Sequence, residues 1–432
     1  MLARVRNSRE IGVQFLLQLV IVFAVGATIG AEKTTVSTIG TDVYGIESFL
    51  LLGTFVITFG FVKAALNLVS GRWSEVGRKR VLVAGWLVAL PIPVILVFAP
   101  NWWWIAAANV LLGANQGMTF SMSVNSAIDL AGSDDSGLAV GFVESVGYGG
   151  VAVSALVSGI IASTYGLRPA PFYFLGGVIV VALILSVVFV RNTLTYVEPT
   201  TAASEDGTTS TDNAASTAPA LRDVIARSTY GDRTFFAACQ AGHIEKFVDA
   251  LVWIAYPIFL TNTGLSLAQV GVVVFVYNGT WALLQIPAGR IADRIGRRVP
   301  IVSGLFIAGA GVLATVLVRD YLLWTIAAAA TGAGIALLYP NLQAVFSDRA
   351  APSWRATGIG VYRMWRDAGY GIGAIVIGVT VDLFSIETAF YVTAAAMAIS
   401  GCIALLWLEE SRTRNDSSET TVGEPNTRST SD

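Results

Sequence analysis

Charged side chains interrupt several long apolar stretches of this chain, and in one stretch they follow a helical spacing. Arg366, Asp367 and Tyr370 lie three, four and seven residues after Arg363, which places all four on one helix face. The arginine guanidinium is a planar fork of donors that matches a carboxylate or a phosphate. We therefore expect Arg366, with Arg363 beside it, to contact an anionic solute or to act in gating. The alternative is that Asp367 and a neighbouring carboxylate simply neutralise the arginines.

A second apolar stretch carries His243, Glu245, Lys246 and Asp249. The spacing places His243, Lys246 and Asp249 on one helix face. His243 is the only histidine of the chain and could exchange a proton near neutral pH, although a lone histidine in a helix is more often a hydrogen-bonded packing residue. Asp249 is either a second proton site or the plain ion-pair partner of Lys246.

Two further charged side chains, Lys63 and Glu144, stand in apolar surroundings. Ionisable groups in lipid are costly unless they are paired or face water, so both are candidates for function. We rank Glu144 first for proton exchange, and its alternative is a salt bridge with Lys63 or with an arginine of the Arg363–Tyr370 stretch. We expect Glu32 and Lys33 to lie near the outer surface of the membrane, at the outer mouth of the protein.

Uncharged polar side chains also occur within the apolar stretches. In a membrane helix such groups bridge to neighbouring helices or contact a solute, and bridging is the commoner role. We count Asn115 and Gln116 among the candidates for solute contact. The other members of this group are Asn109, Asn125, Tyr277, Asn278, Gln285, Tyr339, Asn341 and Gln343.

The elements that position these residues are long apolar helices. The chain has 432 residues, of which 54% are hydrophobic and 13% charged, against about 25% charged residues in soluble proteins. Many apolar segments reach the roughly 20 residues that cross a bilayer. We predict an all-α integral membrane protein with twelve transmembrane helices. In chain order, α1 to α12 are expected at roughly 11–36, 46–70, 81–99, 102–128, 138–163, 171–191, 234–261, 267–288, 299–318, 321–346, 357–381 and 387–408.

A glycine- and arginine-rich motif occurs twice, after α2 and after α8. The first copy contains Gly71, Glu75, Gly77 and Arg78, and the second contains Gly289, Asp293, Arg294, Gly296 and Arg297. A basic turn between apolar helices is typical of a cytoplasmic loop. We expect both turns to act as gates, with Asp293 and Glu75 bonding to helix ends when that face is closed.

The motif belongs to a longer internal repeat. The offset is 219 residues from Gly77 to Gly296, and again from Asp129 to Asp348. The Gly-Tyr-Gly triplet that begins at Gly147 in α5 returns in α11 after 222 residues. Many secondary transporters are built from such repeats, so we predict two pseudo-symmetric six-helix bundles.

The predicted domains follow from the repeat and from composition. Residues 1–191 form the first half and residues 234–408 the second. Residues 192–233 form a cytoplasmic linker, and residues 409–432 a cytoplasmic tail. We expect the tail to be disordered and the linker partly so, since their polar sequences have little apolar surface to bury.

Lysine and arginine placement predicts the orientation. With both termini in the cytoplasm, 20 of the 27 Lys and Arg residues lie on the cytoplasmic side. We therefore expect a multi-pass protein of the cell membrane.

These features resemble the major facilitator superfamily. The likeness covers about residues 11–408 and rests on the twelve helices, the long central loop and the motif G-x-L-A-D-R-x-G-R-K. The second copy fits this motif well, whereas the first is one residue shorter and carries Glu75 in place of Asp. Stretches such as Asn115-Gln116-Gly117 are similar to a widespread prokaryotic subgroup without a firmly assigned substrate. The resemblance implies that α1, α4, α7 and α10 line a cavity and that α3, α6, α9 and α12 face lipid. It also implies that α2 packs near α11, which makes Asp367 a natural partner for Lys63.

We expect a monomeric secondary transporter that moves a small polar or charged solute by alternating access, as a symporter or antiporter coupled to protons. One alternative is a drug or metabolite efflux antiporter, although Asn109 replaces the helix-4 arginine of such proteins and α5 lacks their Gly-Pro pair. The alternative of another class is a non-transporting receptor on the same fold. The chain has no P-loop, no H-E-x-x-H and no G-x-S-x-G, so we expect no enzyme activity, cofactor or metal. Nor does it have a basic patch suited to nucleic acid.

Overall fold

A computed structural model describes residues 4–5, 8–73, 77–132, 135–196, 219–351 and 353–410, without the side chains of residues 70–72. Twelve long helical spans account for most of these residues. In chain order they are α1 (Arg9–Lys33, continued by Val36–Asp42), α2 (Thr54–Trp73), α3 (Arg78–Ala89, continued by Pro91–Phe98), α4 (Trp102–Ala131), α5 (Ser136–Tyr165), α6 (Ala170–Val188), α7 (Arg233–Asn262), α8 (Leu267–Ile295), α9 (Arg298–Leu317), α10 (Tyr321–Arg349), α11 (Arg355–Leu383) and α12 (Ile386–Trp407).

Local sequence explains where these helices begin and end. Ser266 and Gln269 form a capping box at the start of α8, and the Asp320 side chain accepts two backbone bonds at the start of α10. Gly77 and Gly296 occupy equivalent places in the two motifs, with φ values of 130° and 90°. Residues that have a side chain rarely adopt such positive φ angles, so glycine at these two positions allows the chain to turn sharply into α3 and α9.

Composition assigns most of the helices to the membrane. Eight spans are long and apolar enough to cross it, and α2 contributes a shorter apolar run. The other three are α4, α7 and α11, and each has buried polar or charged side chains, among them Asn115, Glu245 and Arg366. Polar groups within a membrane span are tolerated where they face the bundle interior.

Helix packing divides the molecule into two six-helix bundles. Within the first half α1 packs on α5 and α2 on α4, and within the second α7 packs on α11 and α8 on α10. The halves contact each other mainly where α2 meets α11 and where α5 meets α8. Large apolar side chains of α6, α9 and α12, such as Ile184, Leu313 and Leu406, are exposed on the outside, as expected for lipid-facing helices.

The structure corrects three predicted boundaries. The α1 span runs on to Asp42, because the polar segment after Lys33 breaks the helix for only two residues. The predicted start of α2 is instead the separate turn Phe49–Leu52. Residues 289–295 of the second motif extend α8, so only Gly296 and Arg297 form the turn. Glu75, most of the predicted linker and nearly all of the tail lie outside the described residues.

Candidate functional site

The centre of the molecule holds a chain of alternating charges that begins at Arg366 of α11. Its guanidinium binds Glu245 of α7 through two parallel bonds, Nε to Oε2 at 2.8 Å and Nη2 to Oε1 at 3.1 Å. Nη2 also donates to the Tyr148 hydroxyl at 2.9 Å, and the Tyr339 ring lies 3.9 Å from the guanidinium carbon. The guanidinium N–H groups of Arg366 that could bind a solute anion are therefore occupied by the Glu245 carboxylate in this state.

Lys246 of α7 is the next member of this chain of alternating charges, which we call the charge chain. Its ammonium lies 3.1 Å from Glu245 Oε1 and 2.9 Å from Asp249 Oδ2. The Trp281 and Tyr370 ring centroids lie 4.7 Å and 4.9 Å from the same nitrogen. Two carboxylates and two aromatic faces compensate the desolvation of this fully buried ammonium.

Asp249 connects the second half to the first. Lys33 Nζ of α1 lies 2.5 Å from Asp249 Oδ1, and both side chains are 1% exposed. The Tyr370 hydroxyl donates to Oδ2 at 2.7 Å, and the Tyr277 hydroxyl donates to Oδ1 at 3.3 Å. The prediction that Glu32 and Lys33 lie at the outer mouth is wrong, since α1 continues beyond them to Asp42 and leaves both side chains buried in the interior.

Asp367 forms the second charged link between the halves. Lys63 Nζ of α2 lies 3.6 Å from its Oδ1, and Arg366 Nη1 lies 3.5 Å from the same oxygen. The Asn67 amide of α2 donates to Oδ2. The Lys63 ammonium also approaches the ring of Tyr370, with 5.6 Å between nitrogen and centroid.

Glu144 and Arg363 form a separate pair at the edge of this chain. Arg363 Nη2 lies 3.5 Å from Glu144 Oε1, and the Tyr339 hydroxyl donates to the same oxygen at 2.5 Å. Arg363 also reaches Gln343 of α10 at 3.4 Å. Glu144 of the first half is therefore held by α10 and α11 of the second.

A small cavity lies among these groups. Its volume is about 30 Å³, which is room for about two water molecules. Lys33, Lys63, Arg363, Arg366 and Tyr370 line it together with Gln116. A solute would need the halves to move apart, because the cavity is far smaller than an organic molecule.

Two sequence candidates serve local packing in this state. His243 Nδ1 lies 2.8 Å from the Trp365 carbonyl oxygen, so the ring is tied to the backbone of α11 rather than to the charge chain. Asn115 donates to the Gly85 carbonyl of α3 at 2.9 Å. Gln116 donates to the Val25 carbonyl and to the Thr28 hydroxyl of α1, and it alone of these three lines the cavity.

The two motif copies form equivalent salt bridges. Arg78 Nε lies 3.0 Å from Asp129 Oδ2, and Arg297 Nε lies 3.2 Å from Asp348 Oδ2, each pair 51 residues apart. The second copy has an additional bond from Arg297 Nη2 to Asp293 Oδ1 at 2.7 Å. Asp293 thus bonds within its own half, and Arg294 is exposed at the end of α8.

The two faces of the molecule differ in how closely the halves meet. We name the face where α1 begins and α12 ends the terminal face, and the opposite one the far face. At the terminal face a cleft of about 440 Å³ separates α5 from α8 and α10, between Gly137, Asp293 and Ser347. At the far face Asp382 of α11 accepts bonds from the Ser48 hydroxyl at 2.7 Å and from the Leu50 amide at 3.1 Å. The halves are sealed at the far face and apart at the terminal face.

The sequence does not assign five residues to the charge chain or to the far-face contact: Lys33, Glu245, Tyr148, Tyr339 and Asp382. Glu245 and Tyr339 are identified only as polar residues of α7 and α10, without a specific partner or role. Asp382 falls one residue past the predicted end of α11, and its role as a cap on the turn Phe49–Leu52 needs the tertiary contact. The position of Lys33 could have been found only from the length of α1.

The fold and site define a membrane transporter, in which two bundles enclose a buried polar centre and are separated by a cleft at one face. The chain belongs to the major facilitator superfamily, whose family model matches residues 14–244 and again residues 241–429. It is a secondary transporter with transmembrane helices in two related halves.

Individual proteins of this superfamily are similar to the chain over most of its length. The multidrug resistance protein MdtG of Proteus mirabilis is 25% identical over 79% of this chain and 82% of its own length. An uncharacterized MFS-type transporter of Methanocaldococcus jannaschii is 23% identical over 85% of this chain and 83% of its own. Among solved structures, a bacterial homologue of the human lysosomal transporter Spinster, in an inward-facing and unoccupied conformation, superposes with a TM-score of 0.71. It is 15% identical, and the match covers 92% of this chain and 97% of that one, which shows the shared fold.

Proposed function

We propose that this chain carries a small organic anion across the cell membrane by alternating access, coupled to protons, with both termini in the cytoplasm. The observation that carries the proposal is the charge balance of the central cluster. Within the described residues the cluster has five cationic side chains and four carboxylates. They are Lys33, Lys63, Lys246, Arg363 and Arg366 against Glu144, Glu245, Asp249 and Asp367.

One cation therefore lacks a matching carboxylate, and Lys63 is the weakest bound. Among the described residues its only carboxylate contact is to Asp367 Oδ1 at 3.6 Å, and Arg366 shares that oxygen. A buried charge without full compensation is unfavourable, so a solute carboxylate or phosphate entering the cluster would balance it. The Phe59, Phe120 and Tyr370 rings around Lys63 favour an anion that also has an apolar or aromatic body.

The proposed cycle begins from the observed state, which is open at the terminal face. Separation at the far face requires the Lys33–Asp249 bridge and the Asp382 contacts to break. The terminal cleft would then close between α5 and α8. The energy would come from an ion gradient, and we propose neither catalysis nor a bound cofactor. A monomer is sufficient for this cycle, since the cluster is complete within one chain.

Drug efflux is the second candidate, because the name of the Proteus mirabilis relative is multidrug resistance protein. The two candidates differ in the charge of the solute. An excess cation repels cationic drugs, whereas it attracts organic anions.

A thermal-shift screen of the purified protein separates the two. The panel would contain monocarboxylates, organic phosphates, cationic drugs and neutral sugars, each at two pH values. We expect stabilisation by organic anions in the wild type and its loss in Lys63→Gln. The control is Arg290→Gln, which removes an exposed positive charge outside the cluster and should keep the anion response. Stabilisation by cations alone would overturn the anion proposal.

A further inference from the structure

One buried carboxyl group stands apart from the central cluster. Glu32 of α1 is 0% exposed, and neither of its oxygens accepts a well-formed hydrogen bond from a described residue, although the Asn109 side chain of α4 is close enough to interact with it. Each carboxylate of the cluster, by contrast, lies within 4 Å of a cationic side chain. Glu32 therefore occupies a site built without a countercharge.

The elements packed around α1 supply no charge that faces Glu32. From α4 the nearest polar group is Asn109, and from α5 Ser154 and Ser158 donate to carbonyls of α1 rather than to Glu32. The span of α6 contains no charged residue. From α7, Lys246 and Asp249 lie in the cluster on the side of Lys33.

An ionised carboxylate in such surroundings is strongly unfavourable, whereas the neutral acid can be accommodated. We propose that Glu32 is a proton-binding site of this transporter, loaded while the far face is sealed. This inference rests on the proton coupling in the proposed function, and it moves the leading proton site from Glu144 to Glu32. Glu144 has a cation and a hydroxyl donor within reach of one of its oxygens, so its carboxylate form is better compensated than that of Glu32.

Lys33 connects the proton site to the far-face seal. It follows Glu32 directly and makes the bridge to Asp249 across the halves. The two residues end the first piece of α1, and Thr34 and Thr35 separate it from Val36–Asp42, so this is where α1 can bend. When the bridge opens, Lys33 loses its countercharge and water reaches the turn. The Glu32 O–H bond then breaks, the proton passes to water, and the carboxylate left behind compensates Lys33.

The direction of the coupling follows from this exchange. A bound proton favours the sealed far face, and loss of the proton favours the open one. Raising the pH should therefore open the far face in the wild type. A variant that remains neutral at position 32 should stay sealed at every pH.

Infrared spectroscopy of the reconstituted protein tests the proton directly. At neutral pH the wild type should show the C=O stretching band of a protonated carboxylic acid. Glu32→Gln should lack that band, and Glu144→Gln, a matched buried carboxylate, should retain it. A band that persists in Glu32→Gln would overturn the inference. Failure of Glu32→Gln to fold would do the same, because the amide is a close mimic of the neutral acid.

Spin-label distances across the far face test the coupling. Labels at Val43 and Asn262, which are exposed in opposite halves, would be placed in a chain with Cys239 and Cys402 replaced. We expect the distance to lengthen with rising pH in the wild type and to be unchanged in Glu32→Gln. The same pH response in both proteins would overturn the inference. Neither readout uses an organic anion, so the anion proposal stands or fails separately in the thermal-shift screen.

Discussion

The halves meet along two helix pairs, and these contacts have different chemistry. Where α2 meets α11, Lys63 and Asn67 bind Asp367, and Asp382 caps the turn before α2. Where α5 meets α8, the helices touch closely at small residues, including Gly159 against the Leu267 carbonyl and Gly271, and the Ser145 hydroxyl donates to the Ala282 carbonyl. Among the described residues, the first contact contains an ion pair between its two helices and the second contains none.

The difference indicates how each contact can move. Polar bonds break when water or a solute offers replacement partners, so the α2–α11 contact can respond to ligand and to protons. Close packing between small residues lets helices slide or rock with few polar bonds to break. We infer that α2–α11 is the switched contact and α5–α8 the pivot. Substitutions in each of the two contacts test this distinction.

The largest effect is expected from Asp367→Asn on the charged side. It leaves Lys63 buried without a carboxylate, at a cost of about 3–5 kcal/mol in the free energy of unfolding. The thermal unfolding temperature should fall strongly. In the double variant with Lys63→Gln much of the lost thermal stability should be recovered, because the uncompensated ammonium charge is removed as well. Equal destabilisation in the single and double variants would show that charge is not what holds this contact.

A smaller effect is expected from Gly159→Ala on the packed side. The added methyl carbon would lie 2.6 Å from the Leu267 carbonyl oxygen, so α5 and α8 must separate, at a cost of about 1–3 kcal/mol. The measured melting temperature should fall without any change in its dependence on salt or pH. Gly177→Ala in α6 is the matched control, since its methyl group would meet nothing within 4 Å. If the Gly159→Ala protein is as stable as that control, α5 and α8 are not tightly packed at Gly159 and the pivot role is wrong.

The smallest effect on stability is expected at the terminal face, from Asp293→Asn. Asp293 is 61% exposed and bonds only to Arg297 among the described residues, so its loss should cost under about 1 kcal/mol. We nevertheless expect a shift in the resting population and weaker transport, because the carboxylate lines the terminal cleft. Counterflow in proteoliposomes, with an anion identified by the thermal-shift screen, measures this. Wild-type transport at normal expression would remove the gating role of Asp293.

Much of this architecture could be predicted from sequence, because its causes are local. The lengths of the apolar segments predict the helices, and the offsets of the repeat predict the two halves. Most predicted helix ends therefore agree with the observed ends within a few residues. The 219-residue offset also relates the Arg78–Asp129 and Arg297–Asp348 bridges, although only the acidic members were compared in sequence.

The pairing of the buried charges could not be predicted, because it depends on how the helices rotate and where they end. Lys33 shows this, since only the continuation of α1 to Asp42 places it within reach of Asp249. The roles of Arg366 and Glu144 stay predictions. Spacing placed Arg366 on the correct helix face, yet it could not show that Glu245 fills its guanidinium fork.

The central claim is that the two faces open in alternation, with the polar α2–α11 contact as the switched element. Asp382→Asn tests it most directly, because it weakens the far-face cap at a site distant from the terminal cleft. Paired spin labels would report both faces in separate samples, Val43 with Asn262 at the far face and Gly137 with Ser347 at the terminal cleft, with Glu47→Gln as the control. We predict that Asp382→Asn lengthens the far-face distance and shortens the terminal one in matched proportions. Opening of the far face with no closure of the terminal cleft would contradict the account.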